Sequence, residues 1–162
     1  MRNDDFSRLF DEHAEQLFAF LVYRTGSRTL AEDLVADTFE RALRSRRRFD
    51  RRRGTEKSWV YTIALNLYRD QARRQRVEQR ALERVAVDAG GSHDDTWVTS
   101  IERSQGLQAA LGRLGDEERE ALALRFGADL TVREVARVLG QKEDAVGKRI
   151  QRALSKLREE LG

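Results

Sequence analysis

Residues 130–150 read LTVREVARVLGQKEDAVGKRI, and their pattern predicts two short helices joined by a tight turn. Thr131 and Glu134 stand at the spacing of a capping box, which starts a helix. Gly140 allows the sharp turn that follows, and Ala136 provides a small side chain where the two helices cross. The stretch therefore predicts a helix-turn-helix, a motif that reads DNA with its second helix.

The second helix of this motif leaves polar and basic side chains outside its apolar stripe. The core shared by the two helices is expected from Val135, Leu139, Val146 and Ile150. The side chains expected to face base edges are Lys142, Asp144, Gly147, Lys148 and Gln151. The side chains suited to phosphates are Arg149, Arg152 and Lys156. An ordinary helical hairpin has similar spacing, so the rest of the chain has to decide between the two.

The composition indicates a highly charged, all-helical protein. Charged residues make up 36% of the 162, mean hydropathy is −0.70, and the chain has no cysteine and no proline. No apolar run approaches the roughly 18 residues of a membrane-spanning helix, and the N-terminus lacks the order of a signal peptide. Without cysteine the chain forms no disulfide, which fits a reducing compartment. We expect a cytoplasmic protein that does not insert into membranes.

Charge is segregated along the chain. Residues 41–84 carry 15 basic and 5 acidic side chains, a net charge of +10, and residues 130–162 have a net charge of +3. Residues 1–40 and 85–129 each have a net charge of −5. The two basic segments indicate two surfaces for a polyanion, and the acidic segments indicate a different partner.

The periodicity of apolar residues divides the chain into two domains. Residues 1–85 have helical periodicity, which predicts a compact bundle in which Thr29 and Glu32 form another capping box. The periodicity fades over residues 86–100, where a glycine pair and small polar residues predict a flexible linker. Residues 101–162 form the second domain, which contains the helix-turn-helix. We expect the two domains to move independently.

The +10 segment mixes arginine with aromatic and amide side chains. Arginine binds phosphates, and exposed aromatic rings stack on unpaired bases. Trp59, Ile63 and Leu67 have the spacing of core residues. Candidates for nucleic-acid contact on other faces of the same helix are Tyr61, Asn66, Arg69, Arg73 and Arg74.

In this order, the pieces resemble the extracytoplasmic-function group of bacterial sigma factors. The segments that carry the resemblance are AEDLVADTFERAL (31–43), RFD (48–50), GTEKSWVYTIALNLYRDQARR (54–74), LTVREVARVLG (130–140) and AVGKRIQRALSKLRE (145–159). The resemblance implies that the first domain binds core RNA polymerase and the minus-ten promoter element, and that the second binds the minus-thirty-five element. It also implies an anti-sigma factor as a partner. The family needs no cofactor, because it positions polymerase and captures flipped promoter bases.

The resemblance assigns roles to individual residues. Those expected at the polymerase coiled coil are Glu32, Asp33, Asp37, Thr38 and Arg41. Those expected at the melted minus-ten strand are Phe49, Arg51, Arg52, Tyr61, Asn66, Arg69, Arg73 and Arg74. Lys148, Arg149 and Arg152 are expected at the upstream duplex. Gly147 and Lys148 stand where the family more usually has lysine followed by a small polar residue.

Two other function classes are weighed against this one. A stand-alone helix-turn-helix regulator usually dimerises, but no long dimerisation helix is evident, and we expect a monomer when the protein is free. An adaptor that binds polymerase without reading DNA has no need of the +10 segment. An enzyme is disfavoured because cysteine is absent and His13 and His93 are isolated. The GGSHDD cluster (90–95) is interpreted as linker rather than as a metal site, and Trp97 is expected to pack onto one domain.

Overall fold

The computed structural model describes residues 2–82 and 105–162, and every regular element in these ranges is helical. The first range contains α1 (Asn3–Thr25), α2 (Arg28–Arg44), a 3-10 turn (Arg46–Arg48) and α3 (Glu56–Leu82). The second contains α4 (Gln105–Gly112), α5 (Asp116–Leu122), a π-helical turn (Ala123–Gly127), α6 (Val132–Leu139) and α7 (Glu143–Leu161). The predicted all-α fold is confirmed. The predicted linker, with His93 and Trp97, lies outside the described residues.

The turn between α1 and α2 is short because both of its ends are capped. Gly26 adopts a left-handed conformation with φ of 70°, and its amide donates to the carbonyl of Val22 at 2.8 Å. The side chain of Ser27 accepts a hydrogen bond from the amide of Leu30 at 3.2 Å. The prediction of a capping box from Thr29 was therefore wrong: Ser27 stands two residues earlier and caps α2 from outside the helix.

Leucine and aromatic side chains on the inner faces of α1, α2 and α3 fill the core of the first domain. The rings of Phe10 and Phe39 meet edge to face with centroids 4.8 Å apart, which joins α1 to α2. The rings of Phe20 and Tyr61 meet in the same way at 5.5 Å and join α1 to α3. The largest fully buried aliphatic side chains in this core are Leu9, Leu17, Leu21, Val60 and Leu65.

The predicted helix-turn-helix is confirmed in α6 and α7. The amide of Glu134 donates to the hydroxyl of Thr131, and the amide of Thr131 donates to the carboxylate of Glu134, so the capping box is complete. Gly140 has φ of 65°, a conformation that favours glycine, and ends α6. The buried side chains that join the two helices include Val135, Ala136, Val146 and Ile150.

The sequence did not predict how α5 ends. Its last turn widens into the π-helical turn, in which the amide of Ala128 donates to the carbonyl of Ala123 at 2.9 Å. Asp129 then has a positive φ of 56°, and Leu130 returns the chain to the core before α6. The turn carries Phe126, which is 56% exposed.

The two domains pack against each other, with α3 lying next to α6. Their buried side chains form one continuous apolar cluster. The side-chain amide of Gln16 donates to the carbonyl of Gly127 at 3.3 Å, and Lys57 Nζ lies 3.5 Å from the carbonyl oxygen of Asp129. Independent movement of the domains stays a prediction, and these contacts are among those that such movement has to break.

Candidate nucleic-acid interface

The outer face of α7 gathers most of the residues predicted to bind duplex DNA. Lys148, Gln151, Arg152 and Lys156 are exposed and line one shallow groove along the helix. Lys142 and Asp144 are exposed at the N-terminal end of α7, beside the start of α5. The core residues of α7 occupy the opposite stripe, because side chains three or four positions apart share one helix face. The exposure of these side chains agrees with the sequence analysis, and their contact with DNA stays a prediction.

Lys156 and Arg149 are both paired with acidic residues of α5: Nζ of Lys156 lies 2.8 Å from the carboxylate of Glu118, and Arg149 is the more buried of the two. Its side chain is 21% exposed, lies 3.5 Å from the carboxylate of Glu117 and donates a hydrogen bond to Gln141. These contacts connect α7 to the turn before it and to α5. Arg149 thus holds the motif together, a role that the sequence did not predict. Its availability for phosphate is correspondingly reduced.

Gly147 lies in the interior of α7, although the fold does not require a glycine there. A methyl group added at this position meets nothing closer than Val132 Cγ1, at 3.9 Å, which is ordinary van der Waals contact. Glycine inside a helix costs about 1 kcal/mol relative to alanine. The position therefore carries a cost in stability that packing does not explain.

The second basic surface runs along α3. Asn66, Arg69, Arg73 and Arg74 are exposed on the same helix, as the sequence predicted. Arg73 is paired with Asp70 one turn earlier. The guanidinium group of Arg69 lies 3.5 Å from the carboxylate of Glu120 in α5, so one member of this surface is bound to the second domain.

Tyr61 does not belong to this surface, and the prediction of an exposed ring was wrong. The side chain is 1% exposed and packs on Phe20. Tyr61, Ala64 and Leu65 stand at helical spacing on the inner face of α3, and all three are buried. The hydroxyl group has no hydrogen-bond partner within the described residues, and burial raises the pKa of Tyr61 well above its usual value.

The loop from Phe49 to Glu56, called here the minus-ten loop after the role that the resemblance implies, is organised by its own side chains. The ring of Phe49 packs on Trp59 with centroids 5.1 Å apart. The carboxylate of Asp50 accepts a hydrogen bond from the amide of Arg52 at 2.9 Å, a local turn that aspartate favours. Arg51 and Arg52 are exposed. Trp59 is half-buried: it packs against the apolar core, as the sequence predicted, and it supports the loop through Phe49.

The second domain contacts this loop directly. The hydroxyl of Thr55 donates to the carboxylate of Glu134 at 2.5 Å. Gly54 lies against Arg137 so closely that an added methyl group would approach its Cδ to 2.5 Å. Burial opposes the ionised form of Glu134, but hydrogen bonds from Thr131 and Thr55 outweigh it and lower the pKa of this carboxyl group. A charged glutamate of the helix-turn-helix therefore holds the minus-ten loop.

An acidic face on α2 carries the residues predicted at the polymerase coiled coil. Glu32, Asp33, Asp37 and Arg41 are exposed. Thr38 is not: its side chain is fully buried, and its hydroxyl donates to the carbonyl of Leu34 at 2.6 Å. The prediction of Thr38 as a contact residue was therefore wrong, because its position in α2 faces the interior of the domain.

Other kinds of site find little support in residues 2–82 and 105–162. Within these ranges no group of three or more His, Cys, Asp or Glu side chains could hold a metal ion. None of the helices described there combines the length and the apolar character needed to cross a membrane. Burial lowers the pKa of His13, which lies 3.8 Å from Glu12.

The chain matches two families of sigma-factor regions in the order found along it. Residues 9–78 match Sigma-70 region 2, and residues 104–157 match Sigma-70, region 4. These matches cover most of the first domain and most of the second, including the helix-turn-helix.

Curated relatives extend the likeness to nearly the whole chain. It is 36% identical to RNA polymerase sigma factor CarQ of Myxococcus xanthus over 162 residues, which cover 98% of this chain and 90% of CarQ. It is 34% identical to ECF RNA polymerase sigma factor BldN of Streptomyces coelicolor. That match covers 88% of this chain but only 55% of BldN. The chain is 31% identical to ECF RNA polymerase sigma factor EcfG of Rhodopseudomonas palustris over 87% of its length, covering 76% of that protein.

Two solved structures have a similar fold. The sigma factor RpoE, in complex with the anti-sigma factor NepR from Bartonella quintana, superposes with a TM-score of 0.73 at 25% identity. That match covers 97% of this chain and 96% of RpoE. CnrH, in complex with the cytosolic domain of CnrY, superposes with a TM-score of 0.63 at 28% identity, covering 99% of this chain and 89% of CnrH.

Proposed function

The chain belongs to the extracytoplasmic-function group of RNA polymerase sigma factors, and we propose that it directs core polymerase to specific promoters. The observation that carries this proposal is the presence of two separate basic surfaces, one on each domain, in the order of sigma regions 2 and 4. A protein with one such surface can bind DNA, but two surfaces of different construction suit two promoter elements.

We assign the surface on α7 to duplex DNA of the minus-thirty-five element. A helix that presents amide and basic side chains fits the major groove, where base edges are distinguishable. Lys148 and Gln151 face outward for bases, and Arg152 and Lys156 for phosphates. Arg149 supports the motif from within, because its guanidinium group contacts Gln141 and Glu117.

The surface on α3 and the minus-ten loop suits unpaired DNA of the minus-ten element. Its exposed members combine an amide, Asn66, with arginines that can follow the backbone of a single strand. Capturing an unpaired base requires a side chain that reads its edge, and the cost of unpairing is about a few kcal/mol. Asn66 is the exposed amide best suited to that role on this face.

We assign the acidic face of α2 to core polymerase. Glu32, Asp33 and Asp37 are exposed with Arg41 on one helix, and neither basic DNA surface includes them. In this proposal the protein is not an enzyme: its work is to bind polymerase and DNA, and the polymerase supplies the catalysis. It acts as a monomer in the cytoplasm, where polymerase works.

An anti-sigma factor is the proposed negative regulator. Both similar solved structures contain a second protein: an anti-sigma factor with RpoE, and the cytosolic domain of CnrY with CnrH. By extension, a protein of the same kind binds this chain and blocks its access to polymerase. An exposed apolar side chain such as Phe126 offers a contact for such a partner.

Run-off transcription with purified core polymerase and a promoter library tests the proposed function. We expect discrete transcripts only when the protein is added, because the core enzyme alone does not select promoters. Tight binding of duplex DNA by the protein alone, with no transcript, would instead indicate a stand-alone regulator. Binding to polymerase without any promoter preference would indicate an adaptor.

A further inference from the structure

The two domains enclose a cleft of about 770 Å³, here named the junction cleft. It lies between the minus-ten loop and α6, so both domains contribute to its walls. The basic residues that the first domain contributes are Arg8, Arg51, Arg52, Arg53 and Lys57. The second domain contributes Arg133 and Arg137. Against these seven cations, the lining residues that the structure describes include only two carboxylates, Glu56 and Glu134.

Neither of these two carboxylates forms an ion pair with four of the arginines that line the cleft. Glu56 lies 3.5 Å from Arg51 and 3.6 Å from Arg8. Glu134 accepts hydrogen bonds from Thr55 and from its own capping box. Within residues 2–82 and 105–162, no carboxylate lies within 4.0 Å of the guanidinium groups of the remaining four, which are Arg52, Arg53, Arg133 and Arg137.

Docking of the domains therefore has an electrostatic cost. It brings Arg133 and Arg137 of α6 to the same cleft as the arginines of the minus-ten loop, and like charges repel. The hydrogen bond from Thr55 to Glu134 and the shared apolar cluster oppose this repulsion. An anion that binds in the cleft would remove the repulsion, and it would stabilise the docked arrangement because it binds that arrangement preferentially.

We propose that the junction cleft binds a small anion carrying several phosphate groups, and that this anion holds the two domains together. Guanidinium groups bind phosphate through paired hydrogen bonds in a fixed plane, which makes arginine a specific phosphate ligand. The volume of the cleft lies within the roughly 300–1,000 Å³ usual for small-molecule sites. More than one phosphate group is needed, because the four arginines without a carboxylate partner among the described residues stand on both walls of the cleft.

The consequence for transcription rests on the proposed function. Arg51 and Arg52 belong both to the junction cleft and to the surface assigned to minus-ten DNA. A bound polyphosphate therefore competes with promoter DNA for these side chains and keeps the second domain on the minus-ten loop. The binding of the anion itself does not depend on the chain being a sigma factor.

The test is a calorimetric titration of the full chain with inorganic tripolyphosphate at constant ionic strength, without polymerase or DNA. We expect one site per chain. Replacing Arg133 and Arg137 by alanine, or Arg52 and Arg53 by alanine, removes charge-assisted hydrogen bonds and should weaken binding by more than about tenfold. The matched control, Arg76→Ala with Arg80→Ala, removes two exposed arginines of α3 that lie outside the cleft. It should weaken binding by less than about twofold.

Three results would overturn the proposal. Equal weakening in the control would mean that tripolyphosphate binds any basic surface of this protein. Weakening by the loop pair alone would mean that the second domain does not contribute. Absence of saturable binding would mean that the cleft is not an anion site. All the replaced arginines are exposed, so thermal unfolding should show that the variants keep their fold.

A second experiment separates the anion site from the proposed function. Tripolyphosphate should reduce run-off transcription by the unmodified protein more than by the Arg133→Ala, Arg137→Ala variant, with magnesium supplied in excess. Calorimetric binding with no transcription from any promoter would leave the anion site standing and contradict the proposed function. Transcription that tripolyphosphate inhibits equally in both proteins would contradict the coupling of the anion to domain docking.

Discussion

The two basic surfaces of this protein differ in how they are built. The surface on α7 lies within the second domain, and its exposed side chains are directed away from the core that α7 forms with α4, α5 and α6. The surface on α3 is shared between a helix and the minus-ten loop. The second domain contacts it through Glu134 and Glu120, which bind Thr55 and Arg69.

This difference separates a surface that is ready to bind from one that is partly covered. Duplex DNA can approach α7 without any change in the arrangement of the domains. In the proposed function, unpaired DNA follows the whole of the minus-ten loop only after α6 has moved away from Gly54 and Thr55, which Arg137 and Glu134 contact. We therefore expect domain separation to affect strand opening far more than duplex recognition.

The largest effect is expected from locking the domains together. The chain has no cysteine, so Thr55→Cys with Glu134→Cys creates the only two sites for a short bis-maleimide crosslinker. The crosslinked protein should lose nearly all run-off transcription, because α6 then stays on the minus-ten loop. The matched control is the same variant with each cysteine capped by N-ethylmaleimide, which should stay active. Equal transcription by both would show that the docked arrangement does not restrict promoter opening.

The next largest effect concerns Tyr61, which the sequence assigned to DNA and the structure assigns to the core. Tyr61→Ala should lower the free energy of unfolding by about 3–5 kcal/mol, as truncation of a buried aromatic ring does. Tyr61→Phe should leave it unchanged or raise it, because the buried hydroxyl has no partner within the described residues. Urea unfolding of both variants measures these changes in the free energy of unfolding. Loss of strand opening in a stable Tyr61→Phe protein would show that the hydroxyl group takes part in DNA binding, which would contradict a purely structural role for Tyr61.

A smaller effect is expected at the duplex surface. Lys148→Ala with Arg152→Ala should remove charge-assisted hydrogen bonds of about 1.5–3 kcal/mol each. The slope of log affinity against log salt should flatten by about 1, because Arg152→Ala leaves one DNA phosphate without its cationic partner, whereas Lys148 is assigned to a base edge. Closed-complex formation with core polymerase at several salt concentrations measures both the loss of affinity and the salt slope. An unchanged salt slope would mean that Arg152 does not bind phosphate.

The smallest effect is expected at Gly147. Gly147→Ala should raise the free energy of unfolding by about 1 kcal/mol, because the added methyl group has room and alanine favours a helix. Urea unfolding measures the change. A destabilised variant would show that the neighbouring Val132 cannot accommodate the methyl group, so that packing does require the glycine.

Periodicity and capping rules predicted the parts of the fold that depend on local sequence. The capping box of α6, the turn at Gly140 and the stripe of Val146 and Ile150 follow from residues close together in the chain. The errors arose where a tertiary contact decides. A tyrosine has both an apolar ring and a polar hydroxyl group, so its type alone did not show whether Tyr61 is buried or exposed. Nothing in the local sequence showed that Phe20 of α1 would cover its ring.

Contacts between distant segments were out of reach of the sequence. The hydrogen bond from Thr55 to Glu134 joins residues 79 positions apart, and neither residue is unusual in its own segment. The pairing of Arg149 with Glu117 likewise depends on how α5 packs on α7. The exposed acidic face of α2 and the basic face of α7 were predicted, because exposure follows from the apolar stripe of a single helix.

The measurement that tests the division between the two surfaces most directly compares duplex and premelted promoters. Asn66→Ala should form closed complexes normally, fail to open duplex promoters by permanganate footprinting, and regain transcription on a premelted bubble, whose unpairing cost is already met. Lys148→Ala with Arg152→Ala should be weak on both templates, since duplex upstream of the bubble is still required. Normal opening of duplex promoters by Asn66→Ala, or rescue of both variants by the bubble, would contradict the division.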